Sequence, residues 1–148
     1  MLQLSRSVIL ITGLLTLAGC FGGTTEPEIK LEPVTGTVTI NGEPGNQVEL
    51  VLLPLPGTSG TGAFGVSDAA GKFTLKHRNG ENGIEPGKYK VIFSQFTKPD
   101  GSPLGPEEDA ATAGIQRLPA IYTSMDRTKT EAEVPAGGTE LQFDLKVK

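Results

Sequence analysis

Val34-Thr35-Gly36-Thr37-Val38-Thr39-Ile40 alternates apolar or small residues with threonines and runs straight into Asn41-Gly42. Val34, Val38 and Ile40 share one face, and Thr35, Thr37 and Thr39 the other. This period of two is the mark of a half-buried strand. Gly36 sits on the apolar side, where it admits a bulge or a close neighbour. Asn41-Gly42 tolerates positive φ at both positions, the strongest short-range hairpin signal.

The same grammar repeats downstream. Gln47 to Leu53 places Val48, Leu50 and Leu52 on one face, with Val51 and Leu53 opposite, and Pro54 and Pro56 are expected to stop it. Ala63 to Ser67 is a short strand. Ser67-Asp68-Ala69-Ala70-Gly71-Lys72-Phe73 reads as a turn capped by the Asp68 carboxylate, with Gly71 left-handed, feeding a strand that aligns Phe73 with Leu75. Pro86-Gly87 predicts a type II turn, after which Tyr89, Val91 and Phe93 alternate with Lys88, Lys90 and Ser94. Lys129 to Val134 sets Thr130, Ala132 and Val134 against Glu131 and Glu133. After Pro135-Ala136-Gly137-Gly138, Leu141, Phe143, Leu145 and Val147 alternate with Gln142, Asp144, Lys146 and Lys148. Seven short strands with frequent turn signals and no amphipathic helix point to a β-sandwich.

One stretch breaks the rhythm. Residues 97–128 hold Pro99, Pro103 and Pro106, then Glu107-Glu108-Asp109, with no periodicity. A connection that long is uncommon inside a compact domain. Ala110 to Ala113 is expected to form a helical turn, and Leu118 to Tyr122 to pin the segment back onto the sheet.

Upstream of the strands the chain changes character. Arg6 precedes an uncharged apolar run, Val8 to Leu17, too short for the ~20 residues that span a bilayer. A short basic region, such a run and small residues at its end make a secretory signal. Cys20, the single cysteine, has no partner for an internal disulfide. Leu17-Ala18-Gly19-Cys20 resembles the bacterial lipobox, which implies cleavage between Gly19 and Cys20 and a diacylglycerol on the Cys20 sulfur. Two or more acyl chains hold a protein firmly to a bilayer. Residues 1–19 are then the signal, 20–33 a lipidated cysteine and flexible tether, and 34–148 the domain. Phe21, where an Asp would mark inner-membrane retention in some bacteria, leans the expected cell-envelope location to the outer membrane.

Composition narrows the function. The chain has 148 residues and a net charge of −4, and loses one cation, Arg6, with the signal. A mildly acidic chain with no basic stripe is a poor nucleic-acid binder. Aromatic residues are 5% and tryptophan is absent, so the core is aliphatic.

Val34-Thr35-Gly36-Thr37-Val38 with Asn41-Gly42, Ser67 to Phe73, and Pro86-Gly87-Lys88-Tyr89-Lys90-Val91 together resemble the carboxypeptidase regulatory-like family. The resemblance covers residues 34–148 apart from the long loop at about 97–128. It implies a seven-stranded antiparallel Greek-key β-sandwich, transthyretin-like (prealbumin-like), used as an accessory, scaffold or binding module. Two related enzyme families are not matched. Intradiol dioxygenases hold iron with two His and two Tyr, whereas this chain has only His77. Hydroxyisourate hydrolases end in Tyr-Arg-Gly-Ser, whereas this chain ends Asp144 to Lys148.

The remaining constellations are sparse. His77, between Lys76 and Arg78, is expected in solvent, and no Ser or Thr stands beside a base as a nucleophile requires. Glu107-Glu108-Asp109 lacks the spacing and glycine of a calcium loop and reads as a solvated run. No metal, no cofactor and no catalytic residue is expected. Tyr122, Phe96 and Phe64 are the aromatics free to meet a sugar, and packing of the long loop is the competing reading for Tyr122. The expectation is a non-catalytic structural or interaction module on a membrane-held lipoprotein, with an envelope protein or glycan as partner. The alternative is a carbohydrate- or peptide-binding module.

Overall fold

The computed structural model describes residues 29–148. The signal, the cleavage site at Gly19 and Cys20, and tether residues 20–28 lie outside the described residues. The last residues of the expected tether are already bound: Glu32 and Ile84 exchange backbone hydrogen bonds of 2.8 and 3.0 Å.

The architecture is mostly β, as expected. Eleven strands are present among the described residues: β1 (Val34–Ile40), β2 (Glu43–Pro44), β3 (Glu49–Pro54), β4 (Ala63–Val66), β5 (Lys72–Thr74), β6 (Lys76–His77), β7 (Gly87–Ser94), β8 (Phe96–Thr97), β9 (Ile115–Gln116), β10 (Glu131–Val134) and β11 (Thr139–Leu145). One sheet joins β11, β1 and β2, with β5 also on β1. A second runs β10-β7-β3-β4-β6, and β8 pairs with β9 in a small ribbon.

The seven-stranded antiparallel expectation needs two corrections. There are four further strands of two residues each, β2, β6, β8 and β9. The β1–β11 ladder is parallel, from Val34↔Thr139 to Ile40↔Leu145. Alternation fixes which face a residue takes, but it carries no information about strand direction. Here β11 leaves the second sheet by the turn after β10 and enters the first alongside β1.

Side chains from both sheets meet in one core. Val34, Val38, Phe73 and Leu145 come from the first sheet. Val48, Leu50, Leu52, Tyr89, Val91, Phe93 and Val134 come from the second and its flanks. Phe93 and Phe143 pack edge to face across the gap, with centroids 5.1 Å apart. Gly36 is crowded within its own sheet: a Cβ there would run into Leu141 O of β11 and the Phe73 ring of β5. Asn41 (φ 53°) and Gly42 (φ 86°) make the expected hairpin turn. The Asp68 carboxylate accepts from Ala70 N and Lys72 N, both at 2.9 Å, and Gly71 is left-handed at φ 76°.

The Pro86-Gly87 turn keeps the positive φ expected of Gly87 but not the type II value of about +80°: Gly87 has φ 157° and is the first residue of β7. Glycine is needed there for that backbone angle and also for room. Thr58 Oγ1 accepts from Lys88 N (2.9 Å) and donates to Lys88 O (3.0 Å), and this clamp sets the Thr58 side chain where a Cβ on residue 87 would fall.

The 97–128 segment is built onto the sandwich. It carries the β8–β9 ribbon and two single-turn helices, α1 (Ala110–Ala113) and α2 (Ala120–Thr123). Asp109 caps α1 by accepting from Ala111 N at 2.8 Å. Leu118 is buried in the core. Thr128, also buried, donates to Val91 O at 3.0 Å.

Candidate binding surface

His77 is buried, with 4% of its surface exposed, which corrects the expectation of a solvent-exposed residue. The chain changes sheets at Leu75: β5 lies on β1, whereas β6 lies on β4 with His77 opposite Ala63. Phe73, Leu75 and His77 keep one inward face through that crossing. The period of two therefore signalled the burial, and the flanking Lys76 and Arg78 masked it.

Inside, His77 Nε2 lies 2.7 Å from Thr61 Oγ1 and 3.2 Å from Glu85 Oε1. A hydroxyl beside a base, which the sequence did not reveal, is thus present. The hydrogen-bond network assigns its role. Asn79 N–H donates to Nδ1 at 3.4 Å, so the ring proton sits on Nε2 and points at both oxygens. In this tautomer Nε2 donates to Thr61 and Glu85 and does not take the Thr61 proton. The carboxylate that would orient the ring shares the nitrogen with the hydroxyl instead of holding the far one, as a catalytic triad needs. Glu85 Oε2 is buried without a hydrogen-bond partner among the described residues. The Tyr89 hydroxyl donates to Glu85 O at 2.7 Å. Burial first, and the Glu85 charge second, push the Tyr89 phenol up to about 12. The cluster ties β6, β7 and the 55–62 loop together.

The acidic run is divided among separate tasks. Glu108 accepts from Gly105 N at 2.6 Å and pairs with Lys98 at 3.0 Å, which lowers its pKa, whereas Asp109 is spent as the α1 cap. Among the described residues, no three His, Cys, Asp or Glu gather as metal ligands do.

The three aromatics separate into two places. Tyr122 packs edge to face on Phe93 at 6.3 Å, and its hydroxyl accepts from Lys146 N at 2.9 Å. Its ring and its hydroxyl are both engaged within the fold. Phe64 and Phe96 lie on the outer side of the second sheet. One row across that sheet reads Phe64, Val51, Ile92 and the next Val66, Glu49, Ser94. Phe64 is 40% exposed and Val66 57%. The 97–128 segment arches beside them and leaves a groove of about 330 Å³, in which Phe96, Leu104, Pro106 and Val66 stand against Gln47, Glu49 and Ser94. An aromatic face beside an amide, a carboxylate and a hydroxyl has the chemistry to hold a polyol or an extended peptide.

No family profile and no curated protein sequence matches the chain. Among solved structures it is similar to a 9R-lipoxygenase from Cyanothece PCC8801, at 18% identity and a TM-score of 0.35, over 82% of this chain and 17% of that one. The chain thus spans about a sixth of the lipoxygenase's length, and at that TM-score the reading of the site rests on its own residues.

Proposed function

We propose that the chain is a non-catalytic cell-envelope lipoprotein, held at the membrane by lipid on Cys20, whose sandwich serves as an interaction module. The outer face of the second sheet carries this reading. An antiparallel sheet with one face in water keeps that face polar, yet Phe64 and Val66 stand exposed there beside Val51 and Ile92. Contiguous apolar surface of this kind marks a contact site. The finer transthyretin-like reading is supported by the strands of three or more residues, β1, β3, β4, β5, β7, β10 and β11. These number seven, and β3 pairs with β7 although β4 to β6 intervene, as a Greek key requires. Outer-membrane placement follows from Phe21 in the same reading.

Two experiments test it. The wild type, expressed in a bacterial host with radioactive fatty acid, is expected to take up label and stay with the membrane fraction, and Cys20→Ser is expected to do neither. An unlabelled, freely released wild type overturns the anchor. The groove favours a second reading, a carbohydrate- or peptide-binding module. A glycan array showing specific binding that is lost on Phe96→Ala, and kept on Tyr122→Ala, selects it.

A further inference from the structure

At the end of β11, away from the outer face just described, Arg117, Leu118, Pro119 and Ile121 face Lys146, Val147 and Lys148 across a cavity of about 350 Å³. Its floor is apolar. Ile121 stands at the mouth, 54% exposed, and Leu118 is buried behind it. Its rim is basic, and no Asp or Glu side chain lines it. This sign runs against a chain whose net charge is −4.

The rim cations are only partly neutralised. Lys146 pairs with Asp144 at 2.5 Å. Arg117 donates from Nε to Thr97 Oγ1 (2.6 Å) and from Nη2 to Lys98 O (2.7 Å) and Pro99 O (3.2 Å). These acceptors are uncharged, so they fix the guanidinium in place without cancelling its charge. Among the described residues Nη1 has no partner, which leaves two N–H groups of the rigid fork unused.

We propose that this cavity binds a small anionic amphiphile, a carboxylate or phosphate head on an apolar body. The head takes the Arg117 Nη1 end and the Lys146 and Lys148 ammoniums, where charge-assisted bonds are roughly twice as strong as neutral ones. The body covers Ile121 and Val147. A purely apolar ligand would strip water from the cations and return nothing. A bare anion would leave Ile121 exposed to water. The volume suits a small ligand.

Isothermal titration tests this on the chain from residue 20 onward with Cys20→Ser, which carries neither the apolar signal run nor the lipid. The probes are octyl phosphate and octanoate, with inorganic phosphate for the head alone and octanol for the body alone. One-to-one binding of an amphiphile, at least tenfold tighter than either part, is expected. Ile121→Ser and the double variant Lys146→Gln/Lys148→Gln should each weaken it at least fivefold. These side chains are on the surface, so an unchanged melting temperature is expected to accompany the loss. Equal binding of inorganic phosphate or of octanol overturns the proposal. So does binding that neither variant alters, or no binding of either amphiphile. None of these results bears on the Cys20 anchor or on the Phe64 face, which their own tests decide.

Discussion

The two sheets follow one alternation rule and end with opposite outer faces. On the first, the outward residues are Thr35, Thr37 and Thr39 of β1, Glu140, Gln142 and Asp144 of β11, and Lys72 and Thr74 of β5. On the second, a row of Phe64, Val51 and Ile92 lies outward on β4, β3 and β7. Folding demands apolar residues only on the inner faces, since one buried face satisfies a sandwich. The outer threonines are what that demand leaves. The outer Phe64 and Val66, 40% and 57% exposed, are more than it asks.

The largest expected effect separates inner from outer on one strand. Leu50→Ala should cost about 2–5 kcal/mol, as truncation of a fully buried leucine does, whereas Val51→Thr beside it should cost about 1 kcal/mol or less. Urea unfolding followed by circular dichroism measures both. Similar losses would mean that the outer face is as closely packed as the inner one. Next comes the attachment of β7, which carries Ile92. Gly87→Val must displace the Thr58 clamp and should destabilise by about 1–3 kcal/mol, the usual cost of overpacking. An unchanged melting temperature would show that the 55–62 loop yields freely.

A subtler effect is expected at alkaline pH. The Tyr89 phenol is raised from 10.0 to about 12 in the folded chain, so its contribution is complete below about pH 10 and is lost as pH rises toward 12. Replacing it in Tyr89→Phe should flatten the fall in urea midpoint across that window, and an identical fall would place the alkaline weakness elsewhere. The smallest stability effect should come from the apolar face itself. Phe64→Ser with Val66→Ser should shift unfolding by about 0.5 kcal/mol per site while sharply reducing binding of a hydrophobic dye. Dye binding that does not fall would erase the contrast between the two faces.

Much of this was legible from single-residue alternation. The inward sets Val34/Val38, Val48/Leu50/Leu52 and Tyr89/Val91/Phe93 follow directly from it, and the Asn41-Gly42 and Asp68–Gly71 turns from the turn chemistry of those residues. What escaped depends on partners distant in sequence. The direction of β11 beside β1 is set by how the chain returns from the second sheet. The crowding at Gly87 comes from Thr58, and the fate of His77 from the crossing at Leu75. Of the aromatics, Phe64 and Phe96 share a face because β3 and β7 pair, a non-local fact. Tyr122 packs its ring on Phe93 and accepts from Lys146 N, as packing of the long loop predicts.

The parallel ladder has a mechanical consequence. The chain enters β1 at Val34, opposite Thr139, while the basic cavity lies past Leu145 at the other end of the same two strands. If the chain is tethered ahead of Val34 and held at the far end, tension pulls β1 and β11 in opposite directions along their length. All seven paired positions, from Val34↔Thr139 to Ile40↔Leu145, then bear the load together in shear. Forced unfolding is governed by the unfolding rate rather than by equilibrium stability, so this arrangement would resist a pull between those two ends better than one that peeled the strands apart pair by pair.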